Sequence, residues 1–439
     1  MSSSRLKLDL PIIAGPNPSR RGNAQDRLLN AVTRVAVRDG YAHLTVEKII
    51  TAAGVSRATF YQYFRDVEDC FWSAYRRHAE QLVADVTAAA AGSRQRELEI
   101  LDTLVTTSVS RPDVALLLMR EGLAAGAAGL SERDALVSRI EQAMTSPAPQ
   151  RSTIDLPAAI LIGGTFGFLS MRLSDGGAID CLREDVRDWA LSFVRRSSQS
   201  SWSARLAPAF SHQASQAPMG ESATRARGAQ RERILRAIAA TIRAKGYRDI
   251  TVADIVSAAG VSRRGFYNDF PSKADAFIAA YEHAFEQTLA ACTPAFFVSA
   301  AWPERVWQAA QAFTGFFSRE PLFAYLCFVE CYAIGPGFAP RVHDMQLAFT
   351  LFLEEGYRQQ PQAPSLSRAC AALTATAIFE LALQGTCRGA SLYLRRLQPL
   401  AVYIALAPFI GLDTAGAFVS GKLSTQAAAA PEAVCGNDA

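Results

Sequence analysis

Ala52-Ala53-Gly54-Val55-Ser56-Arg57, followed by Phe60-Tyr61 and Phe64, decides how this chain is read, because it occurs twice. The second copy is Ala258-Ala259-Gly260-Val261-Ser262-Arg263 with Phe266-Tyr267 and Phe270, each equivalent residue lying 206 positions further on. The match runs without a gap from Arg27/Arg233 to Tyr75/Tyr281, through Gly40-Tyr41/Gly246-Tyr247, Thr45-Val46/Thr251-Val252 and Asp69/Asp275. Solenoid units recur every 20–50 residues or so, so a repeat at this distance is a duplicated domain.

Each copy reads as three short helices. In the first, residues 25–39 place Leu28, Leu29, Val32, Val35 and Ala36 on one helical face, and Gly40 ends the run. Thr45 stands at an N-cap position, with Val46, Ile49 and Ile50 as the inward face of a two-turn helix. Ala52 and Ala53 allow close approach, Gly54 turns the chain, and Ser56 caps a third helix that holds Phe60 inward and Arg57, Ala58, Thr59, Gln62 and Tyr63 outward. Helix, tight glycine turn, helix is a helix-turn-helix.

Such a unit lays its second helix in the DNA major groove. Arg57 and Arg263 open the two recognition helices, where a guanidinium can donate twice to guanine, while Gln62 and Asn268 suit adenine edges. Tyr61, Tyr63 and Tyr267 offer hydroxyls to phosphate. The candidate DNA-binding set is Thr45, Ser56, Arg57, Ala58, Thr59, Tyr61, Gln62 and Tyr63 in the first unit. In the second it is Thr251, Ser262, Arg263, Arg264, Gly265, Tyr267, Asn268 and Lys273.

The run Thr-Val-x-x-Ile-x-x-Ala-Ala-Gly-Val-Ser-Arg-x-x-Phe-Tyr-x-x-Phe resembles the DNA-binding domain of the tetracycline-repressor (TetR) family of bacterial transcription regulators. The resemblance covers about fifty residues in each half. It implies an all-α fold of two tandem units, each a helix-turn-helix domain followed by a helical ligand-binding and dimerisation domain, and it implies ligand-controlled repression. It further implies that Lys273, in Pro271-Ser272-Lys273, holds a phosphate at the start of a fourth helix. The first copy has Val67 there, within Arg65-Asp66-Val67-Glu68-Asp69, which puts negative charge near the expected DNA backbone and predicts weaker binding unless Arg65 substitutes.

Working outward, residues 1–22 read as a flexible arm and 23–70 as the first DNA-binding domain. Residues 71–196 follow as a helical regulatory domain, with 197–223 as a Ser/Ala/Gln-rich linker. A second DNA-binding domain spans 224–276 and a second regulatory domain 277–410, leaving 411–439 as a disordered tail. The apolar stretch 158–171, with Gly163, Gly164 and Gly167, falls short of the roughly 20 residues of a membrane span and predicts close helix packing. The second regulatory domain is far more aromatic than the first. Phe313, Phe317, Phe328 and Tyr332, with Glu330, His343 and Glu380 as polar groups, are either core or the lining of a pocket for a hydrophobic or aromatic small molecule.

The chain is half hydrophobic and a fifth charged with a net charge of +4, the composition of a soluble protein of several domains. Its basic residues cluster, with Arg5, Lys7, Arg20, Arg21 and Arg27 before the first unit. Arg225, Arg227, Arg231, Arg233, Arg236, Arg243, Lys245 and Arg248 surround the start of the second, as a phosphate footprint or as solvated helix faces. Eight cysteines lack zinc spacing, and no nucleophile elbow, phosphate loop or HExxH motif occurs, so no enzyme, metal or cofactor is expected. The expectation is a cytoplasmic, nucleoid-associated regulator whose partner is a double-stranded DNA operator, its two units paired as an intrachain pseudo-dimer or the whole chain as a homodimer. Activation and a ligand-binding or protein-interaction scaffold that has lost DNA binding stay open.

Overall fold

The computed structural model describes residues 23–145, 153–174, 176, 180–195, 200–207, 230–359, 366–387 and 391–429. The expected arm at 1–22, most of the 197–223 linker, the start of the 224–276 domain and the last ten residues lie outside them. Among the described residues the regular structure is helical, apart from an isolated antiparallel bridge between Ile154 and Val194.

In the first half, α1 (Ala24–Asp39), α2 (Val46–Ala53) and α3 (Arg57–Tyr63) form the leading domain. A long helix, α4 (Val67–Ala90), leads to α5 (Arg96–Ser110) and the short α6 (Pro112–Leu116). A π-helical turn at Leu117–Glu121 and a 3-10 turn at Leu123–Ala125 connect α6 to α7 (Gly126–Thr145). Helices α8 (Ala158–Ser174) and α9 (Leu182–Leu191) close the half.

The second half repeats this with α11 (Gln230–Lys245), α12 (Val252–Ala259), α13 (Arg263–Asp269) and the long α14 (Lys273–Phe296), after a short helix α10 (Trp202–Leu206). Helices α15 (Trp302–Arg319), α16 (Pro321–Phe328) and α17 (Ala339–Ala348) build its regulatory part, which α18 (Ala369–Cys387) and α19 (Ser391–Ile410) complete.

The halves pack against each other through α8 and α18. Small residues make this possible: a Cβ on Gly163 would lie 2.2 Å from Glu380 Cδ, and one on Gly164 would lie 2.9 Å from Ala377 Cα. Thr376 Oγ1 donates to the Gly164 carbonyl at 2.9 Å, and Trp189 Nε1 on α9 donates to Thr374 Oγ1 at 3.2 Å. Arg133 on α7 forms a two-pronged ion pair with Glu380 on α18, both side chains almost wholly buried. Helix α18 is apolar and long enough to cross a bilayer by composition, yet most of it is buried in this packing.

Two expectations fail at the edges of the second half. Residues 412–429, read as part of a disordered tail, form α20 (Leu412–Ala429). Its Leu412, Ala415 and Val419 are buried, Phe418 meets Trp307, and Gly416 lies flat against the Trp202 ring. The Trp202 segment belongs to the stretch read as linker, but it is docked. Asp155, buried just before α8, accepts hydrogen bonds from Ser201 Oγ, Trp202 N, Ser203 Oγ and the Tyr403 hydroxyl of α19. One carboxylate thus caps α10 and ties the end of the first half to the second.

Candidate nucleic-acid interface and internal cavity

The turn geometry follows from its residues. Gly54 and Gly260 both adopt left-handed backbone, with φ of 62°. A side chain rarely tolerates that conformation, so glycine ends α2 and α12 at low cost. Thr45 and Thr251 cap those helices through Lys48 N and Asp254 N, and Ser56 and Ser262 cap α3 and α13 through Thr59 N and Gly265 N. In both units the four capping side chains are therefore committed to starting helices. Phe60 and Phe266 are fully buried beneath, which fixes the opposite face of each recognition helix outward.

That outward face carries half of the candidate set. Arg57, Ala58, Tyr61 and Gln62 are exposed on α3, as are Arg263, Arg264, Tyr267 and Asn268 on α13. Tyr61 and Tyr267 occupy equivalent positions and are 51% and 55% exposed, an arrangement folding alone does not favour for large rings. Arg57 lies over the Tyr61 ring at 6.0 Å. Thr59 is half-buried with its hydroxyl 2.8 Å from that of Ser56, and Tyr63 is half-buried with its hydroxyl turned to Asn23.

Three residues differ from their expected roles. Lys273 Nζ points back to the carbonyls of Tyr247, Arg248 and Ile250 at 3.1, 3.4 and 3.0 Å, so its three donors lock α14 to the loop after α11 rather than facing outward. Gly265 is covered by Gln230, whose amide bonds the Gly265 carbonyl and Asp269, so a neighbouring side chain fills the space left for close DNA approach. Asp66, read as repulsive charge, caps α4 by accepting from Asp69 N at 2.8 Å, as Ser272 caps α14. A carboxylate suits that place, at the positive end of a helix.

Among the described residues, four members of the second unit's basic cluster are used inside the protein. Arg236 pairs with Glu320, Lys245 with Asp254, and Arg243 lies over the Tyr325 ring. Arg248 crosses to the other unit, donating to the Tyr41 hydroxyl and lying 5.3 Å over its ring. Beside it Gly40 abuts Pro336, so the two helix-turn-helix units are tied to each other's half.

Beneath each unit sits a buried glutamate: Glu330, read from the sequence as a candidate polar group of a pocket, and Glu121, which no local pattern announced. Glu121 accepts from Tyr41 N at 2.9 Å and pairs with Arg120, whose guanidinium also bonds Ser174 and the Val37 carbonyl. Glu330 holds the equivalent place, accepting from Tyr247 N at 3.4 Å, but Val329 replaces the arginine. Burial raises its pKa to about 7.

The second regulatory part holds a cavity of about 130 Å³ among α14, α15, α16, α17, α18 and α19. Of the residues read as core or pocket lining, Phe313, Phe317 and Phe328 line it, whereas the four others fall outside its lining. Glu380 is held by Arg133 and Gln384. Glu330 bonds the Tyr247 backbone, and Tyr332 and His343 are buried against each other, their ring centroids 6.0 Å apart. Gln346, which no pattern singled out, does line it. Among the buried cysteines, burial pushes the thiols of Cys70, Cys292 and Cys370 up to about 12, which makes them poor nucleophiles.

The family model described as bacterial regulatory proteins, tetR family, matches residues 28–73 and again 234–280, covering both helix-turn-helix units. No curated protein matches the chain.

Proposed function

Because the chain belongs to the tetR family, with two tandem units that each carry its DNA-binding domain, we propose that it is a ligand-responsive repressor whose two halves pair within one chain. The observation that carries this is the pair of recognition helices. Both are capped by the same residues and presented by the same buried phenylalanine, and both display an arginine and an exposed tyrosine in equivalent places. The packing of α8 against α18 and the Arg248–Tyr41 contact support an intrachain pseudo-dimer with the two helices held in fixed relation. Since Arg57-Ala58-Thr59 differs from Arg263-Arg264-Gly265, the operator has unlike half-sites. Repression is then steric, by occupation of a promoter, in the cytoplasm.

Effector control rests on one short segment. Phe328 lines the cavity, Glu330 bonds the backbone at the end of the second unit's first helix, and Tyr332 faces Gln346. A ligand that favours one position of this segment shifts the population of DNA-competent chains.

The test is fluorescence anisotropy of the purified chain on the DNA upstream of its own gene, with footprinting of Arg57→Ala and Arg263→Ala. Each substitution should cost about 1–3 kcal/mol and relax a different half-site. Weakening of the same half-site by both overturns the pseudo-dimer. A second reading, a first unit that no longer binds DNA, is favoured by the exposed Glu68 beside α3; it predicts loss only for Arg263→Ala.

A further inference from the structure

We propose that the cavity takes a neutral aromatic molecule of about one ring bearing a hydroxyl or N–H donor, and that Gln346 Oε1 accepts the hydrogen bond. This deepens the reading of the chain as a ligand-responsive regulator and rests on it.

Size comes first. An engineered apolar cavity of about 150 Å³ accommodates benzene, and the volume here is about 130 Å³. The wall is set with the rings of Phe313, Phe328, Phe349 and Phe379, which favour edge-to-face contact with another ring.

Charge is excluded next. No Asp, Glu, Lys, Arg or His occurs among the lining residues, so an ionised ligand would enter without a counter-charge. Two lining hydroxyls donate within their own helices, Thr288 Oγ1 to the Ala284 carbonyl at 2.7 Å and Thr314 Oγ1 to the Ala310 carbonyl at 2.9 Å, and the third lining hydroxyl is that of Tyr281.

Among the lining residues, one buried acceptor is without a donor. Gln346 is 5% exposed, and its Oε1 has no hydrogen-bond partner. A buried acceptor without a donor is a standing penalty, and a ligand that supplies the donor removes it. The acceptor therefore selects for a donor.

The experiment is calorimetric titration of the full chain with phenol and with toluene, for wild type and Gln346→Leu. Transfer from water into apolar surroundings favours toluene, so phenol binding wild type at least as tightly as toluene reports the hydrogen bond. The ratio of phenol to toluene affinity should fall roughly tenfold in Gln346→Leu, because a cycle of two ligands and two proteins cancels the ligands' own desolvation. An unchanged ratio overturns the assignment of Gln346. Toluene binding wild type tenfold tighter than phenol overturns it from wild type alone, whether or not the variant folds, and failure of both probes to bind overturns the ligand class. Adding saturating phenol to the anisotropy assay separates the two readings: phenol bound in the expected ratio with unchanged DNA affinity sinks effector control and leaves the ligand class standing.

Discussion

Truncating Arg133 to alanine leaves the Glu380 carboxylate, 4% exposed, with the Gln384 amide as its remaining side-chain donor. A buried ion pair is worth little over an apolar pair of similar size, but removing one member costs about 3–5 kcal/mol because the other charge is left uncompensated. Arg133→Ala and Glu380→Ala should therefore each destabilise the chain by that amount. The combined Arg133→Met, Glu380→Met variant, which removes both charges and keeps the volume, should fall within about 1–2 kcal/mol of wild type. Urea denaturation followed by tryptophan fluorescence measures this directly, since Trp189 lies on the same interface, bonded to Thr374. Single variants that each cost under about 1 kcal/mol would refute the reasoning. So would a double variant costing the sum of the singles, since the loss would then be packing and not charge.

Two further outcomes follow from the same interior. Glu330, its pKa raised from 4.5 to about 7 by burial, keeps its proton in the folded chain where the unfolded chain has lost it. Stability should thus fall as pH rises from about 4.5 to 7, by on the order of 3 kcal/mol, and then level. Glu330→Gln should be more stable than wild type at pH 8, the gap closing toward pH 4.5; parallel pH profiles would dismiss the idea. Gly163→Ala should cost about 1–3 kcal/mol by overpacking, and Gly167→Ala less, since its Cβ would meet Thr376 at 3.2 Å and not Glu380 at 2.2 Å. Equal urea midpoints for the two variants would contradict that order.

The helix-turn-helix units were legible because their signals are local. Thr45, Gly54, Ser56 and Phe60 act on residues within one or two turns, and the 206-residue repeat states each of them twice. What failed was every assignment that depended on a partner far along the chain. Glu380 looked like a ligand group because the sequence does not say that Arg133, on another helix, faces it. Lys273 looked like a phosphate clamp for the same reason, its carbonyl partners lying more than twenty residues earlier. The tail looked disordered because Ala and Gly mask its pattern, although Leu412, Ala415 and Val419 do share a face. Gln346 carried no signal at all, since only an enclosing wall turns an ordinary glutamine into a selective acceptor.

Joining the halves through α8, α18 and the Asp155 cluster changes how the cell can meter this protein. Subunits that must find each other give operator occupancy that rises with the square of their number and collapses when copies are few. Here the partner is always present at the effective concentration set by the chain itself. For a protein that reads DNA as proposed, occupancy then follows the first power of abundance, and a handful of molecules suffices to keep a promoter closed.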